Sequence, residues 1–465
     1  MVLYNPLILF PILLIAVVVY YLLPSSWRRY FLLILSLSFF YSFSPKGTLL
    51  LFLLTVFNYF IAIVIQRSQK KHFFRCIAIL INITAFTIPR LIEAGAAAKL
   101  SISLDYLIPL GIAFFTLQNI GYVLDVSRGI IPAEHNFWNY LLFILFFAKL
   151  SAGPIEPARH FLPQVENEHK YDPGKIYWGI FQILLGLFKK VVIADRLTLI
   201  TDQVFNNPGQ YYGLTVITAI IFYSFQIYFD FSGYSDIALG IAHLFGFKLS
   251  SNFKRPFLAE NINEFWNRWH ITFTNWLREY IFFPLRRFFL RQHSSTSPFW
   301  ALLIPPLLTM LVSGAWHGLQ PTYLVWGVYH GLLLFLNTAF TKKKQVQPDK
   351  YRILKRLFTF SLVSFGWLFF RPASLGDAGI LLQSIFVKST TYHDLLLEID
   401  TVDMLVSLSI IPFVMGIEIY LEDMHKNWNN LSTGSRWITL LLILLAVSLF
   451  GIYQPGNTEF IYAGF

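Results

Sequence analysis

The stretch from Trp300 to Thr341, WALLIPPLLTMLVSGAWHGLQPTYLVWGVYHGLLLFLNTAFT, contains no Asp, Glu, Lys or Arg. A hydrocarbon crossing needs only about 20 apolar residues, so a run this long belongs in a bilayer and carries His317 to membrane depth. An ionisable side chain there is costly and therefore a functional candidate. Pro305, Pro306, Gly314, Gly318 and Pro321 do not all fit one smooth helix, because proline removes a backbone donor and glycine weakens the helix. At least two segments broken around His317 are expected. Broken backbone inside a membrane survives only where protein or water satisfies its polar groups, so a polar cavity is expected beside the histidine.

Composition extends this to the whole chain. Of 465 residues 56% are hydrophobic and only 13% charged, about half the charged share of a soluble protein. The expected fold class is an all-α polytopic membrane protein, a multi-helix bundle around a central funnel with re-entrant and interfacial helices. Charge-poor runs place spans near 5–24, 30–44, 47–66, 73–90, 103–123, 137–150, 174–193, 212–229, 233–247, 300–313, 322–341, 352–370, 403–420 and 436–453. Segments 264–290 and 375–387 are amphipathic and expected to lie at the interface or to re-enter. The apolar start through Trp27 lacks a basic leader and reads as a retained first span. Residues 1–465 read as one transmembrane domain: N-terminal helices to 125, a core at 137–341 and C-terminal helices at 352–465.

Basic residues follow the first and third spans (Arg28, Arg29; Arg67, Lys70, Lys71, Arg75), which places the N-terminus outside. Two further clusters, Arg286, Arg287 and Arg291, and Lys342, Lys343, Lys344 and Lys350, flank the uncharged run. Both are cytoplasmic only if that run enters and returns. The net charge of +11 reflects such loop bias and anionic headgroups rather than nucleic acid.

Several polar groups carry potential chemistry. His317, in SGAWHG, is suited to take a proton from a hydroxyl and return it to a leaving group, while the blander alternative is a core histidine bonded to a carbonyl with Trp316 as packing. In the stretch Asn252 to Leu285, Glu264, Arg268, Trp269, His270, Arg278 and Glu279 lie among aromatics. Glu264 and Arg268 have the four-residue spacing of an intrahelical pair, and the pattern also describes an ordinary interfacial helix. His330 reads as structural. QIYFDFSGYSDIALG sets Asp230, Asp236, Ser232, Tyr234 and Ser235 between two apolar spans, where buried carboxylates need partners; a network tying helices together is expected. No HExxH, CxxC, P-loop, GxGxxG or GxSxG occurs, so no bound metal or nucleotide cofactor is expected. Cys76 is the one cysteine.

Taken in order, PLGIAFFTLQNIGYVLDVSRG (Pro109 to Gly129), SAGPI (Ser151 to Ile155), FLPQ, GLFKKVVIADRL, QIYFDFSGYSDIALG, the Asn252 to Leu285 stretch, SGAWHG and VWGVYHG resemble the membrane-bound O-acyltransferases. The resembled branch includes the alginate O-acetyltransferases and, more distantly, the D-alanine exporters of teichoic acid modification. The resemblance implies that His317 matches the family's invariant histidine and His270 its second motif histidine. Asn267, Arg268, Trp269 and Trp316 would support the substrate tunnel. It also implies a cytoplasmic thioester donor, acetyl-coenzyme A or an acyl-carrier protein, and a receiver that is an extracytoplasmic SGNH-like transferase or a polysaccharide, at the inner membrane. The sequence departs from the family after FFPL, after WHGL and in the ending EFIYAGF. A rival of another class is a transporter or flippase of a lipid-linked saccharide, which would spread titratable groups along a path; here they gather around two histidine motifs. A purely anchoring subunit is the third alternative.

Overall fold

The computed structural model describes residues 6–97, 111–149, 153–292, 299–340, 351–387 and 428–452, with scattered positions between 406 and 416. Among the described residues there is no strand, and eight helices are long and apolar enough to cross a membrane. The expected all-α polytopic class is what is observed. The described residues fall into two compact units: one takes in those up to Ile183 with Tyr234–Ser250, the other those of Leu184–Gly233 and from Ser251 onward.

The first unit opens with α1 (Pro6–Leu22), α2 (Ser25–Phe43), α3 (Pro45–Arg67) and α4 (Lys71–Ala97). Ser44 caps α3 by accepting from Gly47 N, with Pro45 at the first turn where a missing donor costs nothing. The α3 and α4 helices are tied by buried amides: Asn82 Nδ2 donates to Asn58 Oδ1 at 2.8 Å. The following helix, α5 (Ile112–Arg128), is buried along most of its length. It is followed by α6 (Phe137–Leu145) with a 3-10 turn to Lys149, and by α7 (Ala158–Glu166). The 137–150 run, expected as a span, is thus a short helix plus a turn. At about 1.5 Å per residue it is too short to cross the hydrocarbon.

One expected span is lengthened and two others merge into a single helix. The 174–193 run becomes a continuous helical stretch Pro173–Asn206, composed of α8 (Pro173–Leu187), a π-helical turn Phe188–Ala194 and α9 (Asp195–Asn206). The 212–229 and 233–247 runs are one helix, α10 (Leu214–Leu244), so Asp230 and Ser232 lie within a helix and not between two spans. Gly233 does not break it; the missing Cβ admits close packing, since a Cβ there would sit 2.7 Å from the Gly186 carbonyl oxygen.

The second unit continues through α11 (Ile262–Arg268), α12 (Ile271–Leu277), a π turn Arg278–Phe282 and α13 (Phe283–Gln292). The uncharged run forms α14 (Phe299–His317) and α15 (Pro321–Phe340). Its break falls directly after His317. Pro305 and Pro306 are accommodated inside α14, where Thr309 Oγ1 donates back to the Pro305 carbonyl at 2.6 Å. Further along come α16 (Arg352–Phe370), α17 (Leu375–Phe386) and α18 (Thr433–Phe450). The expected span at 403–420 lies mostly outside the described residues, as do Lys342, Lys343, Lys344, Lys350, the ending EFIYAGF and parts of the 103–123 and SAGPI segments.

Candidate active site

Close approach of backbone to glycine sets the hairpin of α14 and α15. A Cβ on Gly314 would lie 2.2 Å from the Tyr323 carbonyl oxygen, and one on Gly327 would lie 2.4 Å from that of Met310. Close approach of this kind is how apolar helices pack without a hydrophobic driving force. It fixes His317 at the last residue of α14, only 5% exposed. Around its ring stand Trp316 at 4.8 Å between centroids, Phe370 at 5.0 Å, Trp326 at 5.4 Å and Phe273 at 6.2 Å.

His270 reaches the same cluster from the junction of α11 and α12. Its φ of 41° is left-handed, a region few side chains other than Asn, Asp and His enter. The neighbouring loop holds that turn in place: Ile271 N donates to the Asn252 carbonyl at 2.8 Å, Lys254 N to the Arg268 carbonyl at 2.9 Å, and Thr272 Oγ1 to Asn252 Oδ1 at 2.6 Å. The His270 ring packs on Phe231, Phe273 and Trp316, at 4.7, 4.9 and 6.1 Å. Burial, with a smaller contribution from His317, holds its imidazole well below the usual value. Both motif histidines therefore share Phe273 and Trp316 as neighbours, and both are buried.

The other residues read from the sequence divide. Trp269 is buried and packs 5.4 Å from Trp367. Asn267 lies on the exposed face. Arg268 pairs with Glu264 at 2.6 Å, as the spacing suggests, and turns to the carbonyls of Lys254 and Arg255 rather than to either histidine. His330 is fully buried beside Trp326 and Trp266, at 5.0 and 5.3 Å. Among the described residues neither of its ring nitrogens has a hydrogen-bond partner.

Asp230 is tied down as expected, and its partner is one the sequence reading passed over. Lys190 Nζ lies 2.7 Å from Asp230 Oδ1 and 2.8 Å from Asp195 Oδ1, all three buried. In the first unit Lys149, 1% exposed, donates to Gln118 Oε1 at 2.8 Å and to the Phe143 carbonyl, with the Phe143 and Phe161 rings at 4.5 and 4.2 Å. The available signal was charge inside an apolar run: FKKVVIAD and FFAKL. Among the described residues no group of three or more His, Cys, Asp or Glu is arranged to hold a metal ion.

The fold and the site define a class, that of helical membrane proteins with two motif histidines brought into one buried aromatic cluster. Residues 126–370 match the family described as MBOAT, membrane-bound O-acyltransferase. Over 83% of this chain and 75% of the relative, it is 33% identical to "Probable alginate O-acetylase AlgI" of Pseudomonas syringae pv. tomato. It is 30% identical to "Peptidoglycan O-acetyltransferase" of Helicobacter pylori over 96% of this chain and 92% of that one. A match to "Teichoic acid D-alanyltransferase" of Bacillus subtilis is 29% identical over 56% of this chain and 68% of the relative. The chain belongs to the membrane-bound O-acyltransferase family and is a multi-pass membrane acyltransferase.

Proposed function

We propose that this enzyme moves an acetyl group from a cytoplasmic thioester to a hydroxyl of a cell-envelope polysaccharide, directly or through an extracytoplasmic SGNH-like transferase, with His317 as general base. The observation that carries this reading is the position of His317: buried, at the C-terminal end of α14, inside an aromatic cluster shared with His270. The acceptor hydroxyl gives its proton to the His317 imidazole as its oxygen attacks the thioester carbonyl. The carbon–sulfur bond breaks, and the leaving thiolate takes the proton from the imidazolium. The products are one ester and one thiol, so no oxidant, metal or nucleotide cofactor is needed. The imidazolium formed on the way is favoured by the negative end of the α14 dipole, an effect of about 0.3–1 kcal/mol or more where partly buried. The faces of surrounding aromatic rings attract the same charge. His270 borders the reacting groups, with Trp269 and Trp316 as walls; Asn267 and Arg268, turned away from the two rings, serve the approach to the site. The thioester donor and the inner-membrane location rest on the family resemblance alone, and the polysaccharide acceptor on the names of the relatives.

The test uses membranes containing this protein and its envelope acceptor, supplied with labelled acetyl-coenzyme A or labelled acetyl-carrier protein. Base-labile label in polysaccharide from one of the two donors, absent with His317→Ala, is the expected result. Equal labelling by the variant would overturn the role of His317, and no labelling from either donor would remove the thioester from the account.

A further inference from the structure

A cavity separate from the histidine cluster lies in the second unit between the α11–α13 segment and the α14–α15 hairpin, with about 740 Å³ of unfilled space including its open mouth. Its lining is mostly apolar, with Leu302, Pro306 and Leu334 among the walls, yet two arginines, Arg278 and Arg286, also line it. Among the described residues neither guanidinium has a carboxylate or carbonyl partner. Both arginines are exposed, and exposed cations without a carboxylate partner beside an apolar cavity suit an anionic amphiphile. Trp266 also lines the cavity, is 5% exposed, and its indole N–H has no acceptor among the described residues.

Two features separate this cavity from the acyl-transfer site. Neither His317 nor His270 lines it, and between it and His317 stand Trp266 and Trp326, packed 5.9 Å apart, with Trp326 against His317. Its Leu302 wall is also remote: Leu302 precedes His317 by about 22 Å of helix at 1.5 Å per residue. That is the end of the hairpin next to the basic cluster of α13, expected on the cytoplasmic side, where anionic lipids concentrate.

We propose that this cavity binds an anionic phospholipid, its phosphate held by Arg278 and Arg286 and an acyl chain laid along Leu302, Pro306 and Leu334. Arginine suits phosphate because its planar fork donates two parallel hydrogen bonds, and helices that face lipid supply walls a chain can wet. Nothing in this proposal depends on which acyl group or acceptor the enzyme uses.

Native mass spectrometry of the full chain released from detergent, titrated with phosphatidylglycerol or phosphatidylethanolamine of identical chains, reads the site directly. Wild type is expected to retain phosphatidylglycerol several-fold better, R278Q/R286Q to lose that preference, and R287Q/R291Q, which alters the same helix outside the cavity, to keep it. Filling the cavity with Leu302→Trp leaves both charges and is expected to lower retention, which covers the case in which the arginine variant does not fold. Equal retention of the two lipids by wild type, or equal loss in both arginine pairs, would overturn the site. Displacement of the lipid by millimolar inorganic phosphate or by coenzyme A would assign the arginines to a soluble phosphate instead.

Discussion

At the scale of single residues, the account rests on how a flexible imidazole is held in one place. His317 gains its position from being the last residue of α14, and His270 from a left-handed turn that costs about 1–3 kcal/mol and persists only where its surroundings over-determine it. The surroundings are the bonds of Asn252 to Ile271 and Thr272. Asn252→Ala keeps the backbone bond and removes the side-chain one, leaving the buried Thr272 hydroxyl without it. The expected outcome is about 1–3 kcal/mol of lost stability in thermal unfolding. Activity measured at a temperature where the variant is fully folded should fall mainly in kcat; a change confined to KM would contradict a positioning role. His317 stood out in the sequence as an ionisable group beside the expected break of an uncharged run, and it lies buried at that break. Asn252 was not singled out, since a loop asparagine gives no sign that it braces a histidine eighteen positions on.

At the scale of elements, the hairpin of α14 and α15 is the part most plainly written in the chain. Its break after His317 follows from Gly318 and Pro321, and α16 coincides with the 352–370 run. The expectation failed where apolar runs were divided at polar residues: α10 passes straight through Asp230, Ser232 and Gly233, because partners on another segment satisfy the charge and a helix tolerates what its neighbours neutralise. Periodicity within one segment carries no record of those partners. Within the hairpin, Gly327 touches the Met310 backbone, so even a methyl group must push the two helices apart. Gly327→Ala is expected to lower the melting temperature by several degrees, in line with about 1–3 kcal/mol for overpacking, and to reduce acyl transfer beyond what stability explains. An unchanged melting temperature would show that the hairpin is looser than described.

At the scale of the whole molecule, the membrane environment makes buried charge the most consequential polar feature outside the site. Lys190 carries one positive charge against two carboxylates, Asp195 and Asp230. Removing one partner from such a set costs about 3–5 kcal/mol, whereas replacing all of it with apolar or neutral groups of similar volume is often tolerated. Lys190→Met is therefore expected to abolish accumulation of folded protein, and K190M/D195N/D230N to recover it, read by gel filtration of solubilised membranes. If the single variant accumulates normally, the triad is not what holds α9, α10 and the π turn together. The overall class was legible from composition and charge spacing alone; which charges meet was not, because Lys190 and Asp230 are forty residues apart. The central claim is that this membrane protein couples thioester cleavage to ester formation through His317. The most direct measurement reconstitutes it in proteoliposomes with its acceptor and counts free thiol released against ester formed. One ester for each thiol in wild type is the predicted result, with both falling by about 10²–10⁴ in His317→Ala. Saccharide movement without thiol release, or undiminished ester formation in the variant, would contradict the account.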